Sequence, residues 1–251
     1  RLHGGVCALR KPGGAGAAGG GRLFKAAGAI RPHTGKGLLM FLTNLVLLFT
    51  VGSIFGVVIE TVYVYLVAGR LESHRGMVYG PFNQVYGFGA VLLTILLAPL
   101  AGDSKLVLFL GSAVLGGLFE ALCSFFQEKA YGTVSWEYSG QRLSLLGGRT
   151  SVTYMLFWGF LGSVYIKAIQ PWLFGLFCKI PVAIKVPLGL ALTAFFICNL
   201  WLSNAAVRRW TLRLKGTPVS DDLDLWLDEN FPDNRMRKLY PSMMDANRLT
   251  D

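Results

Sequence analysis

An all-α, polytopic transmembrane helix bundle is the fold class this sequence predicts, and three observations predict it. The 251 residues are 53% hydrophobic, with a mean hydropathy of +0.49. Only 15% are charged, against about 25% in soluble domains. The apolar residues also fall in blocks rather than stripes, and several blocks reach the roughly 20 residues that a bilayer core requires of one helix.

Taken in order, residues 1–37 are rich in Gly and Ala and carry Arg10, Lys11, Arg22, Lys25, Arg31 and Lys36 without an acid. Such a segment cannot bury enough apolar area to offset its chain entropy, so a disordered basic tail is expected. Met40 heads the first apolar block and is the expected native start. The transmembrane domain is expected over 38–207, with crossings at 38–68, 82–100, 106–126, 150–169 and 186–207. Polar loops over 69–80 and 127–149 and a Gly102-Asp103 turn separate the first four. Pro171, Pro181 and Pro187 mark a semi-polar connection before the fifth. Residues 208–251 read as a basic stop (Arg208, Arg209, Arg213, Lys215) and a charged tail, with a short helix over 221–229.

Five crossings put the two ends on opposite sides. Arg70, Arg75, Lys129, Arg142, Arg149 and the basic stop share one side, against Lys105, Lys179 and Lys185 on the other. With Met40 as the start, the positive-inside rule places the C-terminus and both long polar loops in the cytoplasm of a cell-membrane protein. The net charge of +10 therefore suits topology and lipid headgroups rather than nucleic acid. Cys7, Cys123, Cys178 and Cys198 are scattered and read as packing residues.

Glu60 and Glu120 lie inside apolar blocks, where a carboxylate costs a few kcal/mol unless it faces the bundle, is protonated or meets a base. With the third crossing ending at Phe126, Glu120 would sit about 9 Å from that end. Gly56 and Gly116 each precede an acid by four positions and so share its helix face. Gly52 and Gly56 form a GxxxG, and Ser112/Gly116 and Ala113/Gly117 are its small-residue equivalents. The plain alternative is that both acids are packing or interfacial carboxylates. The sequence also suggests a parallel two-helix repeat. One unit holds Glu60, Arg75 and Gly80-Pro81; the other holds Glu120, Arg149 and Gly147-Gly148.

The densest motif runs from His74 to Gly87. Gly80-Pro81 breaks the backbone, and Pro81 suits the first turn of a helix. That N-terminus, with Arg75 nearby, suits a phosphate or carboxylate; an ordinary Pro-initiated helix is the plain alternative. No Walker lysine, nucleophile elbow or HExxH is present. A metal site would have to lean on carboxylates and His74. No enzyme, cofactor or metal is therefore expected.

Ile59-Glu60-Thr61, Arg75-Gly76-Met77-Val78-Tyr79-Gly80-Pro81-Phe82, Tyr86-Gly87, Glu120, Trp136-Glu137-Tyr138-Ser139 and Leu146-Gly147-Gly148-Arg149 together resemble the CmpB-type family of bacterial multi-pass membrane proteins, named as ABC-transporter permeases. The similarity spans about 41–172 and continues less specifically through the fifth crossing. Ser53 stands where the family often has an aromatic after Gly52, Gln84 replaces a proline, and Gly147 replaces the asparagine of Asn-Gly-Arg. Family members begin close to the first helix, which agrees with Met40 as the start.

The resemblance implies a permease component of a transport system, of unnamed substrate, working with a separate ATPase subunit. Membrane lipids and a second copy of the chain are the other partners expected. In this reading Glu60, Arg75, Glu120, Trp136, Tyr138 and Arg149 form a cytoplasm-proximal cluster, with Arg149 neutralising one acid and Arg75 the other. Gly80, Pro81, Phe82, Tyr86 and Gly87 form the structural motif beside it, and Gly52, Gly56 and Gly116 pack helices. Two alternatives stay open. One is a lipid-binding or lipid-processing protein in which Arg75, Trp136, Tyr138 and Arg149 hold an anionic headgroup. The other is a regulatory subunit that carries no solute.

Overall fold

Backbone N–H and C=O groups in lipid must be satisfied within their own segment, so each apolar block folds as a helix. The structure, a computed structural model, describes residues 35–71, 74–102, 104–241 and 243–245. Residues 1–34 of the expected basic tail, and Asp103 of the expected turn, lie outside the described residues.

The first crossing is α1, Gly35–Ala68. The second is α2, Gln84–Leu97, extended by a 3₁₀ turn, Ala98–Gly102. The third is α3, Lys105–Tyr131. The fourth joins α4, Val152–Val164, to α5, Gln170–Lys179, through a π-helical turn, Tyr165–Ile169. The fifth is α6, Val182–Leu214. Two short helices follow: α7, Asp222–Asn230, and α8, Asp233–Leu239. Among the described residues, five helices are long and apolar enough to cross a membrane. Only 22–44% of each apolar stretch is buried inside the bundle, so the remaining apolar faces, such as Phe126, Phe160 and Ile197, require lipid.

Helix ends differ from expectation where caps rather than hydropathy set them. Helix α3 does not stop at Phe126; it runs to Tyr131, where Gly132 takes a left-handed φ of 65° and its N–H bonds to Glu128 O. Glu120 is therefore about 16 Å, not 9 Å, from the helix end. Pro171 does not interrupt the fourth crossing, because it sits in the first turn of α5, where a missing N–H costs little. Pro187 is accommodated inside α6.

Helices α1, α3 and α6 end on one side, where α2 and α4 begin. The loop after α1, the loop after α3 and the C-terminal segment meet there as a cap. Val78 from the first loop packs with Val207 and Trp210 of α6, Leu227 of α7 and Phe231 just after it, and Met236 and Leu239 of α8. Strand β1, Thr133–Val134, pairs antiparallel with β4, Met244–Asp245, and β2, Ser144–Leu145, pairs with β3, Thr150–Ser151.

The segment preceding α2 dips into the bundle. Asn83 N donates to Ser53 O of α1 at 3.0 Å, about 22 Å of helix rise below Ala68. Asn199 of α6 clamps the non-helical strand: its Nδ2 donates to Tyr79 O at 2.8 Å and its Oδ1 accepts from Tyr79 N at 3.2 Å. Ser203 Oγ accepts from Val78 N at 3.0 Å. Non-helical backbone is tolerated at such depth only when protein satisfies it in this way. Helix α2 begins after Asn83, whose side chain accepts from Val85 N. Pro81, expected in the first helical turn, instead lies exposed before the cap.

Candidate functional site

The hairpins α1–α2 and α3–α4 share one local arrangement. Gly56 of α1 faces Tyr86 of α2 so closely that an added Cβ would lie 2.5 Å from the tyrosine Cβ. The missing side chain lets the Tyr86 hydroxyl reach Glu60, one turn further along α1. Gly116 of α3 gives the same room to Trp158 of α4, which lies beside Glu120, again one turn on. The two aromatic rings are neighbours, with centroids 5.9 Å apart and planes inclined by 31°. Gly52 lies one turn before Gly56, against Ala90 of α2.

Each carboxylate has further partners. Glu60 Oε2 is 3.5 Å from His74 Nδ1. Glu120 Oε1 accepts from the Tyr138 hydroxyl at 2.9 Å, and Oε2 accepts from Thr150 Oγ1 at 3.0 Å. The Tyr138 ring stacks on Tyr154 at 4.3 Å, and the Tyr154 and Tyr63 hydroxyls meet at 3.1 Å. Burial, and then the Glu120 carboxylate, push the Tyr138 phenol well above the ordinary tyrosine value. It therefore remains a proton donor at physiological pH. Tyr86 beside Glu60 and Trp158 beside Glu120 are ring neighbours, so the aromatic wall between the hairpins connects the two acids.

Other expected site residues are placed differently. Arg149 does not neutralise either intramembrane acid: its Nη2 pairs with Glu128 Oε2, and its guanidinium lies over the Phe125 ring at 5.5 Å. Glu128 competes successfully because α3 continues past Phe126. Trp136 Nε1 donates to Arg149 O at 3.2 Å and so fixes the turn that delivers Thr150. In that turn Gly147 has φ 67°, a conformation open to both Gly and Asn, so the departure from Asn-Gly-Arg preserves the backbone. Arg75 and Pro81 are exposed on the cap side; Phe82 packs against Phe195 and Phe196 of α6. Gly87 packs against Ser53 and Phe49, and Gly80 takes φ 75°.

A family model described as Putative ABC-transporter type IV matches residues 47–204. The chain belongs to this family. The type IV match runs from Leu47 in α1 to Asn204 in α6 and contains every residue of the two-acid cluster and its hydrogen-bond partners. It ends before the arginines that dock α7 and α8. No curated protein and no solved structure matches the chain.

Sequence reasoning missed His74, Thr150, Tyr154 and Trp158 as partners. Thr150 directly follows the Arg149 motif, a local signal. Trp158 comes from another helix at no fixed spacing, so only the arrangement around Gly116 reveals it. Among the described residues, no group of three or more His, Cys, Asp or Glu side chains is placed to hold a metal ion.

Proposed function

We propose that this chain is the membrane-embedded permease subunit of a transport system, that its solute is held or gated at Glu60 and Glu120, and that a separate ATPase supplies the energy. The observation that carries the reading is the pair of carboxylates at the interface of two similar hairpins, within apolar crossings. Intramembrane acids are costly, and acids that face one another across helices mark solute or proton paths. The family to which the chain belongs supports a transport role. This chain takes no catalytic step of its own; hydrolysis belongs to the partner.

The cap side is the cytoplasmic side in this reading. It carries Arg70, Arg75, Lys129, Arg142, Arg149, Arg208 and Lys215, against Lys36, Lys105, Lys167, Lys179 and Lys185 at the far end. An ATPase would dock on the cap, where it contacts both loops and the end of α6.

Affinity purification of the tagged full chain from its native membrane, in mild detergent, tests this. A nucleotide-hydrolysing subunit should co-purify in constant ratio, and its coupled hydrolysis should fall at least tenfold in Glu60→Gln or Glu120→Gln. Recovery of the chain without such a subunit, or full coupling in both variants, overturns the reading.

A further inference from the structure

We infer that the solute class of this site is a hydrophobic cation, an amine or onium group carrying an apolar body, that enters sideways from the lipid between α1 and α4. The inference rests on the reading of Glu60 and Glu120 as the solute site and deepens it.

A shallow apolar cleft opens between α1, α2 and the fourth crossing, with about 70 Å³ of internal room and about 530 Å³ when the open space at its mouth is counted. Phe55 and Ile59 of α1, Leu93 of α2 and Leu161 of α4 line it, with Tyr86 and Trp158 at its cap-ward end. Those two aromatics belong to both structures: they wall the cleft, and Tyr86 lies beside Glu60 as Trp158 lies beside Glu120. The apolar space thus leads directly to the acids. Tyr63 and Tyr154 join α1 to α4 beyond it and close the cap side.

Three features select the solute. The acids favour a positive charge, and a cation beside both offsets their mutual repulsion in a low-dielectric crossing. Electron-rich faces of Tyr86 and Trp158 attract cations, more strongly when water is excluded. The remainder of the cleft offers a polar solute almost nothing. Its Tyr165 hydroxyl is already engaged, at 2.8 Å from Thr94 Oγ1 and donating to Ala90 O at 3.1 Å. Among the described residues no base lines the cleft; His74 stands beside Glu60 and Arg149 is committed to Glu128, so an anion gains little there. A small hydrated cation gains nothing from the apolar walls, whereas an apolar body gains about 25 cal/mol for each Å² removed from water.

The same chemistry occurs in free hydrophobic cations and in amine-headed lipids, and one experiment addresses both. Tetraphenylphosphonium and tetraphenylborate have similar size and opposite charge. Equilibrium dialysis against the full chain in maltoside micelles should give saturable binding of tetraphenylphosphonium at one per chain, with no saturable binding of tetraphenylborate. Glu60→Gln and Glu120→Gln should each weaken cation binding about tenfold or more. Leu161→Trp, which leaves both acids in place, should block it by filling the cleft, and a thermal melt checks that each variant is folded. Native mass spectrometry then separates the sources. Retained phosphatidylethanolamine that tetraphenylphosphonium displaces assigns a lipid, whereas cation binding to lipid-free chain assigns a free solute; both sustain the inference.

Equal binding of the two ions, or cation binding that folded Gln variants leave unchanged, overturns it. If an ATPase co-purifies but the cation does not bind, the solute class falls and the permease reading stands. If the cation binds and no ATPase is found, the reverse holds.

Discussion

Glu120 illustrates what an apolar crossing demands of one residue. Both its oxygens are occupied, by Tyr138 at 2.9 Å and Thr150 at 3.0 Å. Removing one donor leaves part of a buried acceptor unsatisfied, so Tyr138→Phe should lower stability by about 1–2 kcal/mol, read as a lower melting temperature in detergent. Glu120→Gln differs in kind. The amide keeps the volume, and the Tyr138 and Thr150 hydroxyls can accept as well as donate. Stability should then change by less than about 1 kcal/mol while coupled hydrolysis and cation binding fall. A large stability loss in Glu120→Gln would assign the acid to packing. Sequence spacing placed both glutamates on glycine-bearing faces, because four residues is a local helical distance. It misassigned Arg149, because charge complementarity alone cannot choose between Glu120 and Glu128 until the end of α3 is known.

At the scale of elements, the apolar blocks gave five crossings because lipid imposes both their length and their helicity. Their ends were less legible, since helices continue as polar turns past the lipid until a cap such as Gly132 stops them. The segment before α2 was the least legible. Gly80-Pro81 reads locally as a helix start, yet the strand from Gly76 to Phe82 is held inside the bundle by α6, more than a hundred residues away in sequence. Asn199 supplies both a donor and an acceptor to Tyr79. Asn199→Ala should therefore strand two backbone groups and cost about 2–4 kcal/mol. Asn199→Asp loses the donor and adds a buried carboxylate against Tyr79 O, so it should cost at least as much as Asn199→Ala, and thermal melting ranks the two. Equal stability of Asn199→Ala and the parent chain would mean that the strand is satisfied in another way. The clamp also ties the entrance of α2, and hence Tyr86, to the middle of α6.

For the whole molecule, the cap is held by charges that the sequence assigned to lipid headgroups. Arg209 is only 4% exposed at its side chain. Its Nε and Nη2 grip Asp228 at 2.9 and 2.6 Å, and its Nη1 donates to Thr217 O and Pro218 O. Arg213 bridges Asp228 and Asp233 and donates to Phe231 O. The basic stop is therefore partly an internal latch that folds α7 and α8 back against α6. Hydrogen bonds from Arg209 hold the Asp228 carboxyl below its ordinary value. Hydrogen bonds from the Ser220 hydroxyl and N–H do the same for Asp224. A folded value below the unfolded one means that the acid stabilises docking fully above its unfolded value, 3.8 for Asp. That contribution is lost as pH falls from there through the depressed folded value. Docking should thus be insensitive to pH from about 5 to 8 and loosen below about 4. Hydrogen exchange across 222–239 reads this directly, with faster exchange in acid expected there before the five crossings respond. In Asp228→Asn the latch loses its charge at every pH, so exchange in this region should already be fast at pH 7, while α1–α4 and the two-acid site keep their protection. The acid-induced part contributed by Asp228 should also disappear in that variant. If α7 and α8 stay protected at pH 7 in Asp228→Asn, apolar contacts of Leu227, Phe231 and Met236 with Val207 and Trp210 hold the cap by themselves.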